Sequence, residues 1–351
     1  MNRSQVKAIT FSVVIPTFRR LDALKDCLNG IKRMDEQPVQ IVIVYRPIED
    51  TETARWIDNE STRQPNWSLV PIGVPGQVAA LNAGVGAATG DVVVVLDDDA
   101  VPRPDWISKI LAHFENPLVG AAGGRDLMHI GGECITKPEL SKVGHRDFWG
   151  NIIGQHHLVV GSAREVEVVK GCNWAIRRSA IGTLRFDERL PGHGAQPSND
   201  YWYCLNLRRM GWKIILDPTA IVDHYPGWKP DYRADKWSYL KCRDWTASNS
   251  ASRLAFASWH LKARYVLYSI FVGHRHCPGL FFLLHSLVRR PRSLFDQLAG
   301  GWTGFFIGWH LSKEFGLRPP GFAHAPPNRN LRLNPSSIDK REGLRNGGQT
   351  C

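Results

Sequence analysis

Thr89-Gly90-Asp91-Val92-Val93-Val94-Val95-Leu96-Asp97-Asp98-Asp99 sets five consecutive apolar residues directly against three carboxylates. A run that is apolar without alternation marks a strand covered on both faces, as in the parallel sheets of α/β proteins. Adjacent like charges repel, so stability alone does not select the triplet. In extended chain, residues 97 and 99 point to one side and 98 to the other. Two carboxylates on one side, at the open end of a buried strand, suit a hard divalent cation and the phosphate oxygens it bridges. A solvated turn capping the helix that begins near Pro104 is the bland alternative, and the buried run before the triplet weighs against it.

The neighbouring segments fit that sheet. Phe11–Ile15 is a second apolar run, closed by Pro16-Thr17, and Val39–Tyr45 is a third. Leu21, Leu24, Leu28 and Ile31 fall at helical spacing between the first two, and Val78, Leu81 and Val85 precede the triplet strand. Strand, helix, strand, helix, strand predicts a right-handed, doubly wound βαβ arrangement. Its ligands belong beyond the carboxyl ends of the strands, at Pro16-Thr17-Phe18, Arg46-Pro47 and Asp97–Asp99. Further on, a helix is expected over 104–116. The glycines of 120–132 open a less regular zone to about 165, and Val166–Val169 reads as a short strand. A helix near 200–210 ends at Gly211, and a strand over Trp212–Leu216 stops at Asp217-Pro218. Asp200 starts that helix, where the dipole and free N–H groups favour a carboxylate. His224 follows the apolar Ala220–Val222.

Composition narrows the class. With 43% apolar and 22% charged residues, the 351-residue chain is neither disordered throughout nor collagen-like nor a coiled coil. The net charge of +11 is uneven. Residues 229–351 hold 19 Lys+Arg and 7 Asp+Glu, whereas 1–228 hold 25 and 26. Seven scattered cysteines form no CxxC pair and no secretory signal leads the chain, so free thiols in a reducing cytoplasm are expected. No run reaches the ~20 apolar residues that span a bilayer. The candidates 276–288 and 297–312 are respectively bounded by Arg275 and Arg289 and diluted by glycines. Trp245, Trp259, Phe271, Phe281, Phe295 and Trp309 lie among Lys and Arg, a composition suited to an anionic membrane surface. Residues 229–318 are therefore expected to be a basic, aromatic-rich helical region associating peripherally with the inner face of the cell membrane; the alternative is a helical subdomain that only packs on the catalytic domain. Residues 319–351 are expected to be a disordered tail. No motif supports nucleic-acid binding.

Several of these segments, taken in order, resemble glycosyltransferase family 2, the inverting, nucleotide-sugar-dependent enzymes of GT-A fold. The resemblance runs over about 10–228. It rests on Phe11–Arg20, Gly76–Gly84, Thr89–Asp99 with Pro102, Gly171–Arg178, Phe186–Arg189, and Asn199-Asp200 with Arg209–Trp212. It implies a GT-A domain over 1–228, a mixed sheet flanked by helices, with a nucleotide-binding half at about 10–116 and an acceptor half at 117–228. By resemblance, Pro16 and Thr17 border the nucleoside, and Arg19, Arg46, Gln77 and Asn82 lie on the donor side. Asp97 and Asp99 hold Mn²⁺ or Mg²⁺ on the diphosphate, with His224 as a further ligand and Asp98 near the ribose or sugar. Asp200 is the implied base. Asn173, Trp174, Asn199 and Trp202 fall on the acceptor side, the two tryptophans as platforms for sugar faces.

Three departures stand out. Val44-Tyr45-Arg46-Pro47-Ile48-Glu49-Asp50 replaces the family's acidic turn after the second strand, moving its carboxylate to Glu49 or Asp50 or removing it. Gln77 stands where lysine is common, and Asn199 where glutamate precedes the base. The implied reaction is metal-dependent transfer of a sugar, with inversion, to a hydroxyl of a glycan or polyprenyl-linked acceptor in cell-envelope polysaccharide synthesis. The alternative is a catalytically silent nucleotide- or glycan-binding relative. A nucleotidyltransferase would need a glycine-rich basic loop near the N-terminus, and residues 16–20 lack one.

Overall fold

The structure is a computed structural model that describes residues 8–192, 194–227, 238–289 and 293–317. The first half runs β1 (Phe11–Pro16), α1 (Leu21–Lys32), β2 (Gln40–Tyr45), α2 (Thr51–Ser61), β3 (Trp67–Pro71), α3 (Gln77–Ala87), β4 (Val92–Leu96), β5 (Ala100–Pro102) and α4 (Trp106–Ala112). Then come β6 (Val119–Ile130), β7 (Glu133–Ile135), β8 (Arg164–Val166), β9 (Asn173–Arg177), α5 (Arg178–Ile181), α6 (Asn199–Arg209) and β10 (Lys213–His224). Last are α7 (Tyr239–Ala255), α8 (Trp259–Phe271), β11 (Gly273–His274), β12 (Cys277–Pro278), α9 (Leu280–Arg289) and α10 (Leu294–Leu317).

The continuous apolar runs form the middle of one sheet, ordered β3-β2-β1-β4-β9-β6-β10-β5. β1 to β4 are mutually parallel, β9 is antiparallel to both β4 and β6, and β10 is parallel to β6. Side chains of β4 alternate between two cores. Val93 and Val95 pack on one side, and Val92, Val94 and Leu96 on the other. Leu24, Leu28 and Ile31 of α1 cover the second side, and Val78, Leu81 and Val85 of α3 the first. A valine run is the sequence of a strand with helices on both faces.

The structure departs from the sequence reading in several places, among them the strand expected over Val166–Val169, which lies at Arg164–Val166. That reading passed over α2 and β3, because Trp67–Pro71 is a half-buried edge strand with no continuous apolar run. The zone from 120 is no loop at its start but the 12-residue β6. Its glycines are there for close approach: a Cβ on Gly120 would sit 2.6 Å from Trp212 Cβ, and one on Gly124 would strike the Ala220 carbonyl. Finally, Asp217-Pro218 does not end a strand. β10 continues to His224, and its register against β6 shifts between Asp217 and Ile221, a bulge with Thr219 bonded back to Asp217.

The described part of 229–318 is helical apart from the short β11–β12 hairpin. The glycines of α10 that break its apolar run, Gly300, Gly304 and Gly308, stand where a Cβ would meet the α7 backbone, so α10 lies directly on α7. This pair docks on the first domain, with Phe315 5.7 Å from the Trp202 ring and Arg189 over the Phe315 ring. No described helix is long and apolar enough to cross a membrane. The expectation of a disordered 319–351 falls outside the described residues.

Candidate active site

Strand ends converge on the carboxylate triplet. Asp98 points inward: its Oδ2 accepts the Thr17 hydroxyl at 2.8 Å, and Arg20 pairs with it. Arg20 also donates through Nη1 to Asp99 Oδ2 at 2.6 Å. One guanidinium thus holds two of the three acids. Arg19 occupies the left-handed region at φ 54°, an uncommon conformation for a side chain of this size, and this sharp turn after β1 precedes Arg20. Burial raises Asp98 to about 7, against Arg20, which lowers it.

Antiparallel pairing of β10 with β5 sets His224 opposite Ala100. The ligand atoms of Asp97, Asp99 and His224 then lie within 4.8 Å of one another. His224 Nε2 is 3.2 Å from Asp99 Oδ1, and Nδ1 is 3.3 Å from Asp126 Oδ2. Asp126 is fully buried and also pairs with Lys170. Burial pulls His224 down, yet Cys172, Asp126 and Asp99 together carry it up to about 12. The surrounding carboxylates and thiol thus make this corner of the molecule favour positive charge. Asp126 is held below the ordinary carboxylate range: burial raises it, and the bonds to His224 and Lys170 more than reverse that.

Asp200 lies in the first turn of α6, whose N-cap is Ser198 at φ 63°. It does not cap that helix. Its Oδ2 accepts the Gly171 N–H at 2.8 Å and its Oδ1 the Tyr201 N–H at 2.9 Å. Burial raises its pKa, and the two N–H groups work against the rise. Gly171 follows Lys170, and the next residue, Cys172, accepts the Asp97 N–H at 3.5 Å through its carbonyl. One three-residue segment therefore touches the base candidate and both halves of the cation cluster.

A cleft of about 580 Å³ opens beside Arg20, where the first turns of α1 and α2 meet, with Arg19, Glu49, Asp50 and Thr53 among its lining. Here the replaced acidic turn finds its use. Asp50 caps α2 through the Thr53 N–H and accepts the Arg19 N–H, while Glu49 pairs with Arg46. The guanidiniums of Arg19 and Arg46 stand 5.0 and 4.8 Å from the Phe18 ring centroid. Pro16 ends β1 directly before Thr17, and Gln77 starts α3 with its N–H on the Gly194 carbonyl.

The acceptor-side residues need correction. Trp174 is 1% exposed and packs against Phe186 and Tyr203; Trp202 is 0% exposed and packs against Phe256 and Phe315. Neither ring can meet a sugar, because each is spent on the core. Asn173 is likewise buried, accepting the Trp106 indole N–H and donating to the Arg125 carbonyl. Asn199 donates to the Gln196 carbonyl; on the donor side, Asn82 likewise clamps the Phe186 backbone and Glu188. Sequence reasoning passed over Asp126 and Lys170. Asp126 lay in a stretch read as irregular, and Lys170 stood one residue before a quoted segment.

Comparison with known proteins agrees with this architecture. Residues 12–185 match the family model described as Glycosyl transferase family 2. The chain is 30% identical over 173 residues to the pre-mycofactocin glycosyltransferase of Mycobacterium tuberculosis, covering 49% of this chain and 32% of that one, about a third of the relative's length. It is 25% identical over 230 residues to the amylovoran biosynthesis glycosyltransferase AmsB of Erwinia amylovora, covering 63% of this chain and 71% of that one. The mannosyltransferase PcManGT of Pyrobaculum calidifontis, solved in complex with GDP-Man and Mn²⁺, shares the fold with a TM-score of 0.54 at 17% identity, over 89% of this chain and 88% of that one. By the match over residues 12–185 and by its GT-A fold, the chain belongs to glycosyl transferase family 2.

Proposed function

We propose that the protein is a metal-dependent, inverting glycosyltransferase. It takes a sugar from a nucleotide-diphosphate donor and places it on a hydroxyl of a glycan or polyprenyl-linked acceptor in cell-envelope polysaccharide synthesis. The observation that carries this is the segment 170–172, which joins Asp200 to the Asp97, Asp99 and His224 cluster.

The donor set fits a divalent ion. His224 Nε2 is buried, faces Asp99 Oδ1 at 3.2 Å and shares one small volume with two carboxylates. Two hard oxygens and one imidazole suit Mn²⁺, with Mg²⁺ the alternative. An ion held there would neutralise the diphosphate leaving group as a Lewis acid. The protein's own residues do the rest. Arg20 and Thr17 fix Asp98 and so orient the strand end that carries Asp97 and Asp99. Asp126 faces His224 Nδ1 and leaves Nε2 toward the cluster, the arrangement by which an outer carboxylate orients a ligand histidine. Asp200 takes the proton of the attacking hydroxyl, a task for which a carboxylate raised by burial is better matched than an ordinary one. Direct displacement with a single base inverts the anomeric centre.

A panel of UDP- and GDP-sugars, with Mn²⁺, with Mg²⁺ or with chelator, tests the reading by thermal shift and by release of nucleoside diphosphate. The expected result is a metal-dependent rise in melting temperature with one nucleotide class, and turnover with one of its sugars. Binding that ignores the chelator would overturn the metal assignment. Binding without turnover, on every acceptor-containing envelope extract tried, would return the chain to a silent relative.

A further inference from the structure

The last three helices present apolar residues outward. At 100° per residue, Leu280, Phe281, Leu284, Leu287 and Val288 of α9 fall within one sector of about 120°, and all five are exposed, Val288 at 84% and Phe281 at 62%. On α8, Trp259, Leu267, Ile270 and Phe271 form a similar exposed stripe, while Tyr265 and Ser269 on the opposite side are buried. Phe295 and Phe306 of α10 are exposed and stand close to a whole number of turns apart, on a side other than the glycine edge that meets α7. The short β11–β12 hairpin joins α8 to α9, and α9 lies against both it and α10. A ten-residue helix with its apolar side in water is a surface made to be covered.

Charge identifies the cover. Among the described residues of 238–289 and 293–317, eight Lys and Arg stand against three Asp and Glu, although Arg253 is buried and Arg243 pairs with Asp244 on α7. Lys262 and Arg264 lie on α8 itself, Arg275 at the tip of the hairpin, and Arg289 at the end of α9, where the sequence continues Arg290-Pro291-Arg292. A second copy would set this cationic face against itself. The sequence after Leu317 is also basic and poor in large apolar residues, so it matches the face in neither respect. Phosphate headgroups above an acyl layer match both.

We infer that α8, α9 and the outer side of α10 form a face that lies in the surface of an anionic lipid bilayer. The helices rest in the headgroup region rather than cross it, in accord with their length and polarity. This rests on the face alone and not on the transfer chemistry, so either can fail without the other.

The test is co-sedimentation of the full chain with vesicles of phosphatidylcholine alone and of phosphatidylcholine carrying one third phosphatidylglycerol. The protein is expected to pellet with the anionic vesicles at low salt and to be released as salt rises. Phe281→Asp with Leu284→Asp should lower the partition coefficient at least tenfold, and Arg275→Glu should lower it mainly at low salt. Val39→Asp, an exposed position on the first domain, should leave it unchanged. Thermal melting accompanies each variant; should the double variant melt early, Phe271→Ser with Val288→Ser replaces it. Absence of pelleting, or equal pelleting by the folded face variants, would overturn the inference. So would a dimer in solution that the face variants dissolve into monomers while neither form binds vesicles.

Discussion

Replacing Asp200 with asparagine separates proton transfer from everything else the side chain does. Asn keeps the size but cannot accept a proton at neutral pH. Removing a general base typically lowers rate by ~10²–10⁴, or about 3–5 kcal/mol of transition-state stabilisation. The structure adds a second cost. Both carboxylate oxygens accept backbone N–H groups, from Gly171 and from Tyr201. Asn offers one acceptor and one NH₂, so one buried N–H must face a donor, at a cost of roughly 1–3 kcal/mol. A melting temperature lower by several degrees is therefore expected. Donor affinity with Mn²⁺ should hold, since Asp97, Asp99 and His224 keep their partners. The assay is nucleoside diphosphate release from the sugar the parent turns over, followed against pH. Because burial raises Asp200, the parent's rate should fall on the acid side at a pH above the ordinary carboxylate value, and the variant should lose that limb. Turnover within a few-fold of the parent, with the acid limb intact, would refute Asp200 as the base.

Asp126→Asn should weaken Mn²⁺ binding ~10–100-fold by calorimetry or electron paramagnetic resonance, because the residue facing His224 Nδ1 loses its charge; an unchanged affinity would remove Asp126 from the site. Trp174→Ala should cost ~3–5 kcal/mol of stability, whereas Trp174→Phe should keep the acceptor KM; a normal melt with a tenfold higher acceptor KM in the Phe variant would restore the tryptophan to the sugar. His156, 1% exposed, is lowered by burial to about 4. It folds neutral and takes up a proton only when unfolded, so its contribution is complete above pH 6.5 and is lost as pH falls toward 4. Denaturant melts at pH 7 and pH 4 should differ by ~3 kcal/mol through this group, and less in His156→Gln.

Elements built on continuous apolar runs could be read from the chain, because burial on two faces leaves no polar position to confuse the period. β1, β2 and β4 are such elements, and so is the amphipathic α1. β6 could not be read the same way. Its glycines answer to Trp212 and Ala220, residues roughly ninety positions away, and nothing local distinguishes them from turn glycines. The tryptophans misled for a related reason. Nearness to Asp200 or Asn173 in sequence says nothing of which side of the element a ring occupies, and here the cores between sheet and helices claim both. The carboxylate triplet was legible as a candidate cation site from alternation and from the buried strand it follows. The outer layer that orients it was not, since Arg20, Asp126 and Lys170 reach it from three separate elements.

That outer layer gives the site its coherence. Lys170 to Cys172 span at most about 7 Å between Cα atoms, yet they supply a cation to Asp126, an N–H to Asp200 and a carbonyl to the Asp97 N–H. The proposed base and the proposed cation ligands therefore share one short frame rather than sitting on independent loops. Displacement of the segment by an ångström would misplace the proton acceptor relative to the donor diphosphate, and positioning errors of that size cost rate steeply. The frame is itself held from behind: Asn173, next in the chain, bonds to Trp106 of α4 and to the Arg125 carbonyl of β6. The asparagine expected to meet an acceptor instead anchors the segment that bonds to the proposed base.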